Sequence, residues 1–268
     1  MMMPYSFFRG FLNLIIVIFI FHLGVSNLHS SEPEIKIHYL GHSAFVLQFD
    51  NGINIVTDYG HYNAWVDWGW DSPIYSIGNL VPDVMTYSHH HDDHYDLDRI
   101  PENISHIITG LDSLSIDGIE IKPVRTCEDS IQVESNTSYI FISKGVKICH
   151  LGDAQVQIMN IDSNEDVRNH IKTIFPDTFD LLLMTIEGKQ KFIPQAEAFI
   201  DLLQPRRIIP MHFWSQTYKE DFLDYLRTQN DTGKKYQIQV SDGSDYEFSV
   251  SEDTDSIKVI SLAPTPFH

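Results

Sequence analysis

The chain of 268 residues carries 18 basic and 37 acidic residues, giving a formal net charge of −19. Such a negative surface repels phosphate backbones and argues against a nucleic-acid partner. A hydrophobic content of 43% with 21% charged residues is ordinary for a globular protein and sufficient to bury a substantial core.

The first thirty residues have the pattern of a secretory signal peptide. Arg9 precedes the apolar run from Leu14 to Phe21, and a positive segment followed by a short apolar one is typical of such signals. A membrane-spanning helix needs about twenty apolar residues, more than this run offers. We therefore predict a signal peptide over residues 1–30 and an exported protein, periplasmic or extracellular. The alternative is an uncleaved membrane anchor, the only case in which we expect membrane contact.

Strand signals dominate the chain from Glu34 onward. "IKIHYL" alternates in polarity, and two hairpins are indicated by Asn51-Gly52 and Lys144-Gly145. Further strands are predicted in "SAFVLQF", "INIVTD", "DVMTYSH", "HIIT", "IEIKPV", "SYIFIS", "VKICHL" and "RRIIPMH", and in the tail segments "YQIQVSDG", "YEFSV" and "IKVISL".

Helical periodicity appears in the second half. "IPQAEAFIDLLQP" has Pro194 near the first helical position and apolar residues at helical spacing, and "TYKEDFLDYLRTQ" is a second amphipathic helix. A third helix is predicted within Asn160 to Thr173. Because strands and helices alternate without a linker, residues 31–268 are predicted to form a single α/β (α+β) domain with helices packed on mixed sheets.

The stretch "YSHHHDDHYD" concentrates side chains that bind metals. On an extended segment His89 and His91 point to the same side and can share one metal. Asp93 and His94 follow where the chain must turn, and they can face a second metal. We therefore expect two adjacent metals rather than a solvated polar loop. The intervening residues are expected to face away: His90 and Asp92.

Additional ligand candidates follow other predicted strands. Asp58 ends "INIVTD", His150 and Asp153 lie in "HLGD", and His212 ends "RRIIPMH". Proteins of the α/β class place functional groups at such strand ends. A lone histidine there is more often a packing residue, so the repeated placement is what indicates a shared site.

Together, "YLGHSAFVLQFDNGINIVTD", "TYSHHHDDH", "HLGDA" and "IIPMH" resemble the metallo-β-lactamase fold superfamily, in particular its ascorbate-6-phosphate lactonase-like and N-acylphosphatidylethanolamine phospholipase D-like branch. The resemblance extends from Ile35 to about Phe213. It implies a four-layer αββα sandwich with a dinuclear metal site, usually zinc.

The resemblance also implies a role for each site residue. The first metal would be bound by His89 and His91, the second by Asp93, His94 and His212, with Asp153 between the metals. Two residues would lie behind the ligands and orient them: Asp58 and His42.

The sequence departs from the family pattern at one ligand. The family supplies a third histidine to the first metal from a loop that corresponds to "IKPVRTCEDS", which has no histidine. Cys127 or Glu128 falls near that position, and thiolate and carboxylate both bind zinc. Cys127 and Cys149 are the only cysteines, and in an oxidising compartment they could instead form a disulfide.

A complete site implies a metal-dependent hydrolase that attacks a small ester, lactone or phosphodiester with activated water. Asp93 would be the catalytic residue that holds the proton of this water. An incomplete first site would instead give a metal-binding protein without catalysis. The aromatic loop Gly60–Pro73 either overhangs the metals or packs into the domain.

Overall fold

The computed structural model describes residues 34–128, 135–154, 161, 163–186, 192–233, 236–249 and 255–268. The predicted signal peptide over residues 1–30, and with it the alternative of an anchor, lies outside the described residues. Within the described segments, no helix has the length and apolar character required to cross a membrane.

Strands and helices follow each other much as the sequence predicts. The strands in chain order are β1 (Ile35–Gly41), β2 (Ala44–Phe49), β3 (Asn54–Thr57), β4 (Val84–Tyr87), β5 (His106–Thr109), β6 (Leu114–Ile116), β7 (Ile119–Thr126), β8 (Asn136–Ser143), β9 (Val146–His150), β10 (Leu181–Thr185), β11 (Arg207–Met211), β12 (Tyr236–Val240), β13 (Asp245–Phe248) and β14 (Ile257–Ser261). The α-helices are α1 (Glu165–Ile174), α2 (Ile193–Leu203) and α3 (Gln216–Asn230). Helix α1 overlaps the third predicted helix and ends one residue beyond it, and Asn164 caps its first turn with a side-chain oxygen.

The strands of the described part of the chain form two sheets. The first has the order β13-β1-β2-β3-β4-β5, and the second has the order β12-β14-β11-β10-β9-β8-β7-β6. Strands β3, β4 and β5 are parallel. Strands β9, β10 and β11 are also parallel, and helices α1 and α2 connect them. Connections of this kind make successive strands run in the same direction, so the C-terminal ends of neighbouring strands lie side by side.

Hairpin turns with left-handed backbone join the antiparallel strands. Lys144 and Gly145 both have positive φ, which suits the tight turn between β8 and β9. Asp117 and Gly118 form the same kind of turn between β6 and β7. Strand β6 is too short to show an alternating pattern and is missing from the sequence prediction, although its Asp-Gly turn is visible there.

The main core lies between the sheets and continues beneath the helices. Phe45 and Leu47 of the first sheet and Phe141 of the second belong to one buried cluster, which also contains Phe199 of α2 and Phe222 of α3. Burying a large apolar side chain contributes about 1.5–3 kcal/mol, so this cluster dominates the stability of the domain. The arrangement is the mixed α/β fold with two sheets that the sequence predicts.

On its outer face, the first sheet is packed against loop segments and not against the helices that cover the main core. Val46, Val56 and Met85 form a second cluster with Ile74 and Ile77, from the segment between β3 and β4. In the described residues this cover contains the short 3₁₀ turns Val66–Trp68 and Leu97–Arg99, where the sandwich prediction would place α-helices.

Neither cysteine is available for a disulfide with the other. Cys127 and Cys149 are both buried and are not joined. Burial raises the pKa of the Cys149 thiol, so this side chain stays protonated and packs as a small apolar group. The disulfide alternative is therefore wrong for this structure.

Candidate metal centre

The histidine-rich segment begins immediately after β4 and bends sharply. The backbone N–H groups of His94 and Tyr95 both donate to the His91 carbonyl, at 2.9 and 2.8 Å. The backbone also bends at each residue from Ser88 to His91, so the extended backbone predicted for His89 and His91 is wrong. The turn still brings their rings together, with centroids 4.6 Å apart. The intervening side chains are exposed, as expected for His90 and Asp92.

The outer position is defined by His89, His91 and Glu128, whose donor atoms lie within 4.8 Å of one another. His91 Nδ1 is 3.2 Å from Glu128 Oε1, and His89 Nε2 is 3.9 Å from Glu128 Oε2. Glu128 follows β7, whereas Cys127 belongs to no such group in the described residues. Of the two substitutes for the missing histidine, the geometry favours Glu128.

The inner position is defined by His42, Asp93, His94 and His212, all of them buried, with donor atoms within 4.8 Å of one another. Asp93 Oδ2 lies 3.0 Å from His42 Nε2, 3.5 Å from His94 Nε2 and 3.9 Å from His212 Nε2. These residues follow three different strands, β1, β4 and β11. The fold therefore assembles at one point side chains that are far apart in sequence.

Asp153 connects the two positions. It forms a third group of possible ligands with His89 and His94, and its Oδ1 is 3.5 Å from His212 Nε2. Asn136 Oδ1 accepts a hydrogen bond of 2.9 Å from the Asp153 backbone N–H. This orienting contact has no signal in the sequence. The location between the groups agrees with the predicted bridging role, which stays a prediction.

Asp58 holds His94 from behind. Its Oδ2 accepts a hydrogen bond of 2.7 Å from His94 Nδ1, so His94 Nε2 faces the inner position. Ser88 donates to the same carboxylate through both its backbone N–H and its hydroxyl, each at 2.7 Å. Burial lowers the pKa of His94, but Asp93 and Asp58 outweigh burial and raise it to about 9. The contact is the one that the predicted orienting role requires.

His42 holds Asp93 in a similar way. While His42 Nε2 bonds to Asp93 Oδ2, its Nδ1 lies 3.1 Å from the Ser72 hydroxyl. The backbone φ angles of His42 and His212 are 49° and 52°. Both lie in the left-handed region, which costs energy in residues other than glycine. His42 thus makes the contact that an orienting role requires, and it also belongs to the inner group of possible ligands.

The residues fit a metal centre because several buried polar atoms converge without a hydrogen-bond partner in the described residues. These atoms are Nε2 of His89, His94 and His212 and Oδ1 of Asp93. Leaving a buried polar atom unsatisfied costs about 1–3 kcal/mol, so a cluster of them requires an explanation. Burial lowers the pKa of His89 to about 2 and that of His212 well below its ordinary value. Both imidazoles are therefore held in the neutral form that binds metals.

Both ring nitrogens of His150 contact backbone groups outside the metal positions. Its Nε2 lies 2.8 Å from the Ser43 carbonyl, and its Nδ1 accepts a 3.1 Å hydrogen bond from the Gly152 N–H. The packing role that the sequence left open for His150 is the one observed.

The aromatic segment Gly60–Pro73, here called the tryptophan loop, packs beside the inner position. Trp70 stacks on Trp214 with ring centroids 3.6 Å apart, and Trp65 lies 5.8 Å from Trp70. All three are partly exposed. The tryptophans thus pack on one another, and they also leave ring surface accessible close to His212.

A recess of about 390 Å³ adjoins the outer position. His89, His91 and Glu128 line it together with side chains that carry hydroxyl groups: Ser88, Thr109, Ser135 and Thr137.

Comparison with known proteins identifies the family. The family model described as a beta-lactamase superfamily domain matches residues 36–212. No curated protein sequence matches the chain.

Solved structures share the fold at low sequence identity. A candidate zinc-dependent hydrolase of the metallo-β-lactamase superfamily from Thermotoga maritima is 24% identical, with a TM-score of 0.55 over 85% of this chain and 100% of that one. Igni18, a metallo hydrolase from Ignicoccus hospitalis, is 18% identical, with a TM-score of 0.54 over 81% and 100%. An isothiocyanate hydrolase from Delia radicum gut bacteria is 14% identical, with a TM-score of 0.53 over 80% and 100%.

Proposed function

The chain belongs to the β-lactamase superfamily, and from that premise we propose that it is a metal-dependent hydrolase of a small ester, lactone or phosphodiester. The observation that carries the proposal is the pair of donor groups at the inner and outer positions, with Asp153 close to both. Similar structures described as hydrolases support the reaction class.

We propose zinc as the metal, with two ions. The outer position would use His89, His91 and Glu128, and the inner one would use Asp93 and buried imidazoles. Imidazole and carboxylate are common zinc ligands, and two histidines with one glutamate are a known catalytic zinc set. When bound, the metals supply Lewis acidity that makes water a nucleophile near neutral pH and stabilises negative charge in the transition state.

Residues of the chain complete the chemistry. The neighbouring histidines His94, His42 and His212 hold the pKa of Asp93 well below its ordinary value, against the effect of burial, so this side chain is an anion. Asp93 Oδ2, kept in place by His42, would hold the proton of the attacking water. The hydroxyl groups of Thr109 and Thr137 in the recess offer hydrogen bonds to a polar substrate.

A metal-binding protein without catalysis remains the other candidate. The sequence suggests this candidate because the first site lacks the third histidine of the family pattern. Glu128 offers a carboxylate within reach of His89 and His91, so the outer position does not lack a third donor. This observation favours the hydrolase.

We also propose that the protein is exported and that its partner is a small molecule and not a nucleic acid. The support is the apolar run after Arg9 and the net charge of −19. Cell fractionation of the full chain and of a variant lacking residues 1–30 tests this proposal. Cytoplasmic accumulation of both would contradict it.

Metal analysis combined with a substrate panel tests the proposed activity. We expect two metal equivalents per chain and hydrolysis of a lactone, an ester or bis-p-nitrophenyl phosphate that stops on chelation and returns with zinc. Full metal occupancy without turnover on the whole panel would establish the non-catalytic alternative instead.

A further inference from the structure

We infer that the two metal positions are unequal: the inner position holds its ion permanently, and the outer position exchanges its ion and faces the substrate. This inference rests on the proposed function, since it concerns the same centre. It says which ion of the pair meets the substrate and which one maintains the site.

All of the inner residues are buried, and His94 and Asp93 are also oriented, whereas the outer position combines the buried His89 with the exposed His91. His42, Asp93, His94 and His212 are each less than 10% exposed. Asp58 holds His94 at 2.7 Å and His42 holds Asp93 at 3.0 Å. Contacts of this kind fix ligand orientation, and their loss lowers metal affinity by about 10–100-fold. The inner ligands are therefore organised before an ion arrives.

At the outer position, the ligand that faces solvent, His91, is neither buried nor held by an orienting carboxylate in the described residues. The side chain of His91 is 52% exposed, and the contacts of its ring within the described residues are to Glu128 and His89. No carboxylate lies behind it there, so its ring is less restrained than that of His94. An exposed, weakly restrained ligand must lose side-chain entropy when it binds an ion. The outer position should consequently bind more weakly and exchange faster.

The recess lies on the same side. It reaches His89, His91 and Glu128, whereas none of the inner ligands lines it. A small polar molecule entering the recess would therefore meet the outer ion first. Thr109 and Thr137 also line the recess, and side chains with hydroxyl groups suit an oxygen-rich substrate, such as a lactone with free hydroxyl groups or a phosphodiester.

Stepwise zinc titration of the metal-free full chain, by equilibrium dialysis against a zinc buffer, tests the inference. We expect two binding steps whose dissociation constants differ by at least about tenfold. Glu128→Gln should weaken the weaker step by about tenfold or more and leave the tighter step unchanged. His90→Ala is the matched control, because this neighbouring histidine is exposed and belongs to neither group.

Histidine ¹⁵N NMR at one zinc equivalent assigns the steps. We expect the ring signals of His94 and His212 to move first and that of His91, identified by its loss in His91→Ala, to move only with the second equivalent. Equal affinities, or an early shift of His91, would overturn the inference. A chain that binds zinc in the expected order but hydrolyses nothing would keep the inference and refute the proposed function.

Discussion

Asp58 and His42 organise the site without being among its principal ligands. Asp58 directs His94 Nε2 toward the inner position, and His42 bonds to Oδ2 of Asp93, while the buried Oδ1 has no hydrogen-bond partner in the described residues. Asp58 and His42 both have positive φ. A strained backbone at buried polar residues is typical of functional sites, where surrounding contacts compensate its cost.

Asp58→Asn tests this orienting role. We expect zinc affinity of the inner position to fall by about 10–100-fold, because an amide fixes the ring orientation and raises the basicity of the imidazole less than a carboxylate does. Asp245→Asn is the matched control, since Asp245 makes a similar contact of 2.6 Å to His38 and belongs to no ligand group. Equal zinc affinity in Asp58→Asn and the control would refute the role.

The stability of the metal-free protein should depend on pH through His89. Its pKa is about 2 when folded and near 6.5 when unfolded. Between these values only the unfolded chain binds the proton, so the stabilising contribution is complete above pH 6.5 and is lost as pH falls. His94, with its pKa raised to about 9, is protonated in both states over this range.

Urea unfolding of the chelated protein from pH 7 to pH 4.5 measures the effect. We expect the midpoint to fall toward acid in the natural sequence and to fall less in His89→Gln. His90→Gln should behave like the natural sequence. Parallel curves for all three proteins would contradict the assignment.

The sequence identifies side chains whose chemistry is unusual for their position. His89, His91, Asp93 and His94 stand out because four side chains that bind metals within six positions are unusual for a structural turn. Ser72 and Asn136 do not, because a serine or an asparagine is common everywhere and gains its role only when tertiary contacts bring it to His42 or Asp153. The sequence likewise cannot decide whether Cys127 or Glu128 is the third ligand of the outer position, because that depends on how the chain turns after β7.

Among the elements, the tryptophan loop is the one that the sequence describes least. Arg99 ties both of its ends, donating to the Gly60 carbonyl and to those of Ile74 and Tyr75, at 3.0 and 2.9 Å. Its guanidinium also lies 3.8 Å from the centre of the Tyr59 ring. One planar side chain thus holds the segment that covers the first sheet and borders the inner position.

Arg99→Lys should loosen this element, because an ammonium group cannot reproduce the planar fork that reaches several carbonyls. We expect faster hydrogen exchange across residues 60–75, measured by mass spectrometry, with the exchange of β9 to β11 unchanged. Arg227→Lys is the control, since Arg227 is half exposed and forms a local ion pair with Asp224. Unchanged exchange in Arg99→Lys would show that other contacts fix the loop.

Gly60 controls how closely the loop approaches the histidine segment. A Cβ at this position would lie 2.2 Å from the Asp93 carbonyl carbon and 2.6 Å from the His94 backbone nitrogen. Gly60→Ala should therefore displace these ligands, lower zinc affinity and destabilise the fold by about 1–3 kcal/mol. Gly243→Ala, whose Cβ would meet only Ser241 Oγ at 3.6 Å, should change neither zinc affinity nor stability in calorimetric titration and urea unfolding.

At the scale of the whole molecule, the site exists only where the two sheets meet. Asp93 and His94 follow a strand of the first sheet, and Asp153 and His212 follow strands of the second. Alternation and turn signals predict nearly every strand but not the order of strands in a sheet, which depends on long-range packing. The family resemblance provides that order. The loop cover over the first sheet has no periodic pattern from which it could be predicted.

Anomalous diffraction from crystals of the zinc-loaded protein would locate the ions of the proposed dinuclear centre. We predict two zinc peaks about 3.5–4 Å apart. One should be bound by His89, His91 and Glu128, the other by Asp93, His94 and His212, with Asp153 in contact with both. A single peak, or an outer peak from which Glu128 is turned away, would contradict a dinuclear centre completed by Glu128.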